Sequence, residues 1–67
     1  MIRLKLNGKE RELPARTPLP ELLEALGVDR RLVAVAYNGD VVPRDRYAEV
    51  TIGDGDRVEV VRMVGGG

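Results

Sequence analysis

The sequence contains no cysteine, histidine, serine, glutamine, phenylalanine or tryptophan. Each absence closes a route. Without Cys there is neither a disulfide framework nor a thiol nucleophile, and without His as well the usual zinc ligand sets are gone. Loss of His also removes the side chain that most often works as a general base near neutral pH. The remaining aliphatic hydroxyls, Thr17 and Thr51, have no candidate base of the usual kind beside them in sequence. Only Tyr37 and Tyr47 are aromatic, and eleven basic residues are matched by eleven acidic ones without a block of like charge. A nucleic-acid partner would call for a basic stripe, often with stacking aromatics, so none is expected. No apolar run approaches the roughly 20 residues of a membrane span, and no signal-peptide pattern precedes the first charged residues. The expectation is a cytoplasmic protein without a membrane partner. With 67 residues, the chain is one small domain whose core leaves little room for a deep catalytic cavity.

What is present is a regular alternation of patterns. Ile2, Leu4 and Leu6 alternate with Arg3 and Lys5, as in a half-buried strand. Asn7-Gly8 then signals a tight hairpin, and Lys9 to Leu13 is the charged return strand, suited to a sheet edge. Pro14 ends it. Thr17 reads as a helix N-cap with Pro18 at the first helical position, although Pro20 blurs that start. Leu19, Leu22, Leu23 and Leu26 form one helical face, and Gly27 closes the helix with Val28 packing back. Leu32 to Tyr37 is a further strand, ended by a second Asn-Gly pair. A short piece stopped by Pro43, a turn over Arg44 to Tyr47 and an irregular stretch over Glu49 to Ile52 follow. The polar turn Gly53-Asp54-Gly55-Asp56 then leads into a last strand, Arg57 to Val64. One helix against one mixed sheet is an α+β arrangement, and a right-handed crossover places the first and last strands side by side and parallel. That is the ββαββ layout of the β-grasp, or ubiquitin-like, fold, with residues 1–64 as the domain and 65–67 as a flexible glycine tail.

Chemistry within the domain is thinly supported. Asp54 and Asp56 form a polar turn; a calcium loop would need later ligands ending in a Glu, and Glu59 comes too early. Gly53 and Gly55 are not followed by the Gly-Lys-Thr/Ser of a phosphate loop. No catalytic set, bound cofactor or metal is expected. Tyr37 and Tyr47 read as core-edge residues with solvated hydroxyls. The unusual feature is the end, Met63-Val64-Gly65-Gly66-Gly67. A loose terminus is the bland explanation. The functional one is a slim arm without Cβ atoms, able to thread a narrow channel. Four residues from Val64 reach at most about 14 Å, enough to carry a carboxylate into a partner's water-excluding site.

Over essentially its full length the chain resembles the ThiS family of thiamin-biosynthesis sulfur carriers. The resemblance rests on Met1 to Gly8, Leu22-Leu23, Val33 to Gly39 running into Val42-Pro43-Arg44 with Tyr47, Asp54 to Val60, and Val64 to Gly67. It implies that Gly67 is the reacting residue, with Gly65 and Gly66 as the threading arm. A ThiF-like E1-type adenylyltransferase would use ATP to adenylylate the Gly67 carboxylate. Sulfur from a cysteine desulfurase would displace AMP to leave a thiocarboxylate, and thiazole synthase (ThiG) would receive the sulfur. The chain itself would be a protein co-substrate and not an enzyme.

Alternation along the last strand sets Glu59, Val61 and Met63 against Val58, Val60, Arg62 and Val64. One set faces the helix; Val61 and Met63 on the open face, with Val64 at the tail's root, are the candidate docking residues. A strand buried on both faces, or a bulge, is the structural alternative. Other functions sharing fold and tail are carriers for molybdopterin synthesis or tRNA thiolation and a lysine-conjugated tag. A non-covalent β-grasp interaction module would instead be indifferent to its tail.

Overall fold

The computed structural model describes residues 1–63. Val64, a candidate docking residue, and Gly65, Gly66 and Gly67, the threading and reacting positions expected from the sequence, lie outside the described residues. Strand β1 (Ile2–Leu6) turns at Asn7-Gly8 into β2 (Lys9–Leu13). Both turn residues take positive φ, 52° and 80°, as a type I′ hairpin demands. The two strands pair antiparallel from Ile2↔Leu13 to Leu6↔Lys9. The short β3 (Thr17–Pro18) precedes α1 (Leu19–Ala25), and β4 (Val33–Tyr37) turns at Asn38-Gly39 into β5 (Asp40–Val42). A 3-10 helix over Arg44–Glu49 leads to β6 (Thr51–Ile52), and β7 (Arg57–Arg62) completes the order. The main sheet runs β2-β1-β7-β4-β5, and β3 pairs with β6 in a second, two-stranded sheet. The last strand is therefore central, parallel to β1 and antiparallel to β4. This is the expected β-grasp arrangement, with the charged β2 at an edge as its composition requires.

Period-two alternation sends one side of the sheet onto the helix. Leu4, Leu6, Val33, Val35 and Val58 meet Leu19, Leu22 and Leu23 of α1, and Ile52 and Tyr47 complete the buried cluster. Burying each of these leucines stabilises the fold by about 1.5–3 kcal/mol relative to exposure. The helix ends in a Schellman motif. Gly27, at φ 72°, donates to the Glu24 carbonyl (3.0 Å), and Val28 donates to the Leu23 carbonyl (3.2 Å).

Three local expectations are corrected. Thr17 is not the helix cap: it lies in β3 opposite Ile52, and its hydroxyl donates to the Ala15 carbonyl at 2.9 Å. A side-chain cap is dispensable because Pro18 and Pro20 have no N–H, and Leu19 donates its own to the Val50 carbonyl at 2.8 Å. Leu32 is not in β4; it closes the 3-10 turn Arg30–Leu32, capped by the Asp29 carboxylate. Neither tyrosine hydroxyl is solvated in the way expected. Tyr47 is buried and donates to the Val33 carbonyl at 3.3 Å, tying the 3-10 helix to β4. The half-buried Tyr37 donates to Asp56.

Candidate functional site

Because β7 is the strand that leads toward the glycine tail, its surroundings define the site. At its start, Asp56 is a hub. One carboxylate oxygen accepts from the Tyr37 hydroxyl (2.6 Å) and the Gly53 N–H (2.7 Å), and the other from the Asn38 side-chain amide (3.2 Å). Burial pushes the Asp56 carboxyl up. The bonds from Tyr37, Gly53 and Asn38, with the positive charge of Arg16, outweigh it and hold the group below its ordinary range. The same contact raises the Tyr37 hydroxyl, first through the hydrogen bond to Asp56, then through burial and the carboxylate's charge. Asp54 accepts from the Arg3 N–H at 2.8 Å. The aspartate turn is thus structural, as its composition implied, and no group of three potential metal ligands occurs among the described residues.

Side chains from both hairpin turns grip β7, Asn38 at its first residue and Asn7 towards its end. Asn38 accepts from the Arg57 N–H (2.8 Å), and Asn7 accepts from the Val60 N–H (2.8 Å) while donating to the Val60 carbonyl (3.2 Å). Sequence reasoning saw these asparagines only as turn formers. The one available hint was that both turns use Asn, whose amide carries donor and acceptor together.

The sheet's two faces differ. Arg3↔Glu12 and Lys5↔Glu10 pair across β1 and β2 on the face away from the helix, where Arg57 also lies. They line an open groove of about 690 Å³ at the end of the sheet opposite Met63. The same face turns apolar toward the end of β7. Val61 (59% exposed) pairs with Ala34, and Ala36 with Val41 (77%). Met63 (48%) donates its N–H to the carbonyl of Leu32 (56%) at 2.8 Å. Four of the five exposed large hydrophobics among the described residues thus belong to this region. Val61 is exposed on the open face as the alternation required; Val64, the third candidate, lies outside the described residues. Nearby, the Asp29 carboxyl is lowered to about 2 by the side-chain and backbone hydrogen bonds of Arg31.

A mixed five-stranded sheet on one short helix, with a central last strand leading to a glycine end, defines a small β-grasp protein of the ubiquitin type. Comparison with known proteins narrows the class. The family model for the ThiS family matches residues 4–67, and the chain belongs to that family. It is 35% identical to the sulfur carrier protein ThiS of Bacillus subtilis, covering 96% of this chain and 98% of that protein. The crystal structure of the thiamine biosynthesis protein (ThiS) from Geobacter metallireducens superposes with a TM-score of 0.86 at 36% identity, covering 98% and 100% of the two chains. A thiazole synthase from Paramagnetospirillum magneticum is 46% identical over 66 residues, 98% of this chain. The chain spans about a fifth of the length of the thiazole synthases it matches. By its name, the Bacillus relative is a sulfur carrier. No helix among the described residues is long and apolar enough to cross a membrane.

Proposed function

We propose that this chain is a sulfur carrier of thiamin biosynthesis and that it holds sulfur as a thiocarboxylate at Gly67. The observation that carries the proposal is the family match, which extends through the three terminal glycines to Gly67. A carboxylate is a poor electrophile. Attack of a Gly67 carboxylate oxygen on the α-phosphate of ATP releases pyrophosphate and gives an acyl adenylate. The terminal sulfur of a persulfide then attacks the acyl carbon and displaces AMP, and a second thiol cleaves the resulting acyl disulfide, leaving the thiocarboxylate and a new disulfide. An E1-type adenylyltransferase of the ThiF kind supplies the first step, and a cysteine desulfurase supplies the sulfur. The body contributes no group to the bond changes; it docks and delivers. ATP is a substrate of the activating enzyme, and the carrier itself holds no cofactor.

Thiazole synthase is the proposed acceptor. The identity between this chain and a segment of two longer thiazole synthases supports it, because a domain joined to its acceptor works at high effective concentration. The exposed Val61 and Met63, with Val64 beyond them, are the proposed docking residues. An apolar patch beside a reactive arm orients that arm when covered. Gly65 and Gly66 are the threading positions.

A free carboxylate at Gly67 is the requirement, and intact-mass measurement reads it directly. After incubation with ATP, cysteine, a thiol reductant, an E1-type adenylyltransferase and a cysteine desulfurase, the expected gain equals replacement of one oxygen by sulfur. It is absent when Gly67 is deleted. No gain, with the enzymes competent on another carrier, overturns the proposal.

A further inference from the structure

We propose that Asn7 is a positioning residue, whose side-chain amide is the last rung holding the end of β7 in place and so aims the residues that follow it. The inference rests on the sulfur-carrier reading. Parallel pairing between β1 and β7 stops at Leu6↔Val58, and the Asn7 N–H donates to the Val58 carbonyl at 2.9 Å. There the chain enters the left-handed region at Asn7 and leaves for β2. The backbone of β1 offers nothing to Val60. The side chain of Asn7 does: it accepts from the Val60 N–H at 2.8 Å and donates to the Val60 carbonyl at 3.2 Å. An amide presenting acceptor and donor to one residue reproduces what a neighbouring peptide group supplies in a sheet. On the other side, β4 holds β7 through Val33↔Arg62, and Leu32 holds Met63. With Asn7, the strand is fixed from both sides two residues before it ends.

The two possible roles of Asn7 separate cleanly. A type I′ turn needs positive φ at its first central position, which Gly or Asp also provides. If Asn7 served the turn alone, Asn7→Gly and Asn7→Asp would be silent. Only the amide offers both bonds to Val60. Loosening one side of β7 at Val60 lets the strand end tilt relative to the docked body, so the reacting group reaches the productive place less often. Misplacing a reacting group by about 1 Å costs on the order of a hundredfold in rate.

The test uses the whole chain with ATP, cysteine, a thiol reductant, an E1-type adenylyltransferase and a cysteine desulfurase, following thiocarboxylate by mass. Amide hydrogen exchange at Val60 is measured in parallel. In Asn7→Gly we expect Val60 exchange to accelerate at least about tenfold, kcat to fall about tenfold and KM to change less than about twofold. A merely structural defect lowers the folded fraction, raising apparent KM and leaving kcat alone. Asn7→Asp keeps the turn and the acceptor but loses the donor, and carries the same measurement should Asn7→Gly not fold. Unchanged kcat in both variants overturns the proposal; so does a fall in kcat in Asn7→Gly with Val60 exchange unaltered. If the unsubstituted chain gains no sulfur while another carrier does, the sulfur-carrier reading falls instead. Val60 exchange then decides the clamp alone: acceleration supports it and unchanged protection overturns it.

Discussion

At its start, β7 is tied down by an aspartate that gathers a tyrosine hydroxyl, a backbone N–H and an amide, with Asn38 gripping Arg57 beside it. At its end, the same strand is held on the β1 side by one side chain, Asn7, and presents Val61 and Met63 to solvent. The first end is held by internal polar contacts, and the surface beside it is largely charged, with Arg3 and Glu12 paired at 3.3 Å. The second leaves apolar surface uncovered at the place from which the glycine tail departs. Fixed polar contacts gather at one end of the strand and exposed apolar side chains at the other.

Breaking the first end should cost the most stability. Asp56→Ala removes the partner of the Tyr37 hydroxyl and the Gly53 N–H, and is expected to destabilise by about 2–3 kcal/mol in urea or thermal unfolding. Sulfur loading of the folded fraction should be unchanged. A large loss of kcat on that substitution would show that the two ends are not separate.

Met63→Asp addresses the other end and should invert the result. Stability should move by no more than about 0.5 kcal/mol, because Met63 is half exposed. Its KM for the activating enzyme or thiazole synthase should rise about tenfold, equivalent to about 1.4 kcal/mol of docking energy. If sulfur loading and transfer both stay as in the unsubstituted chain, the patch is not a docking surface.

Acid sharpens the comparison with the smallest effect. The Asp56 carboxyl is held below its ordinary value, so its contribution is full above an unfolded-state pKa of about 3.9. It is lost as pH falls through the folded value. Tyr37 is raised, so its contribution is present below about pH 10 and is lost as pH climbs through the folded value. Unfolding free energies across pH 2–11 should decline at both extremes. In Tyr37→Phe the alkaline decline should shrink and the acid decline weaken. An unchanged profile in that variant would remove the Tyr37–Asp56 bond from the account.

Much of the architecture was legible because it is written at short range. Asn-Gly pairs need only their own φ angles, the leucine face of α1 only its spacing, and Gly27 only a helix before it. The misread residues answer to distant partners. Thr17 resembles a cap until β6 pairs with it, Pro20 removes one donor it would have served and the Val50 carbonyl takes the other, the Leu19 N–H. Tyr47 resembles an edge residue until its hydroxyl meets the Val33 carbonyl under the sheet. Of the candidate site, the exposure of Val61 followed from alternation alone. The grip of Asn7 on Val60 did not, because those residues stand 53 positions apart.

By itself, then, the sequence determined the main order of elements, the residue types available for chemistry and the family. These depend on residue types and near-neighbour spacing, which involve no distant contact. Only the tertiary structure decided that the last strand is gripped by the side chains of both hairpin turns, and that apolar surface gathers on one side of its end. Those outcomes arise when the parallel pairing of β1 with β7 brings the two halves of the chain together. A side-chain amide then has a backbone partner that no local pattern encodes.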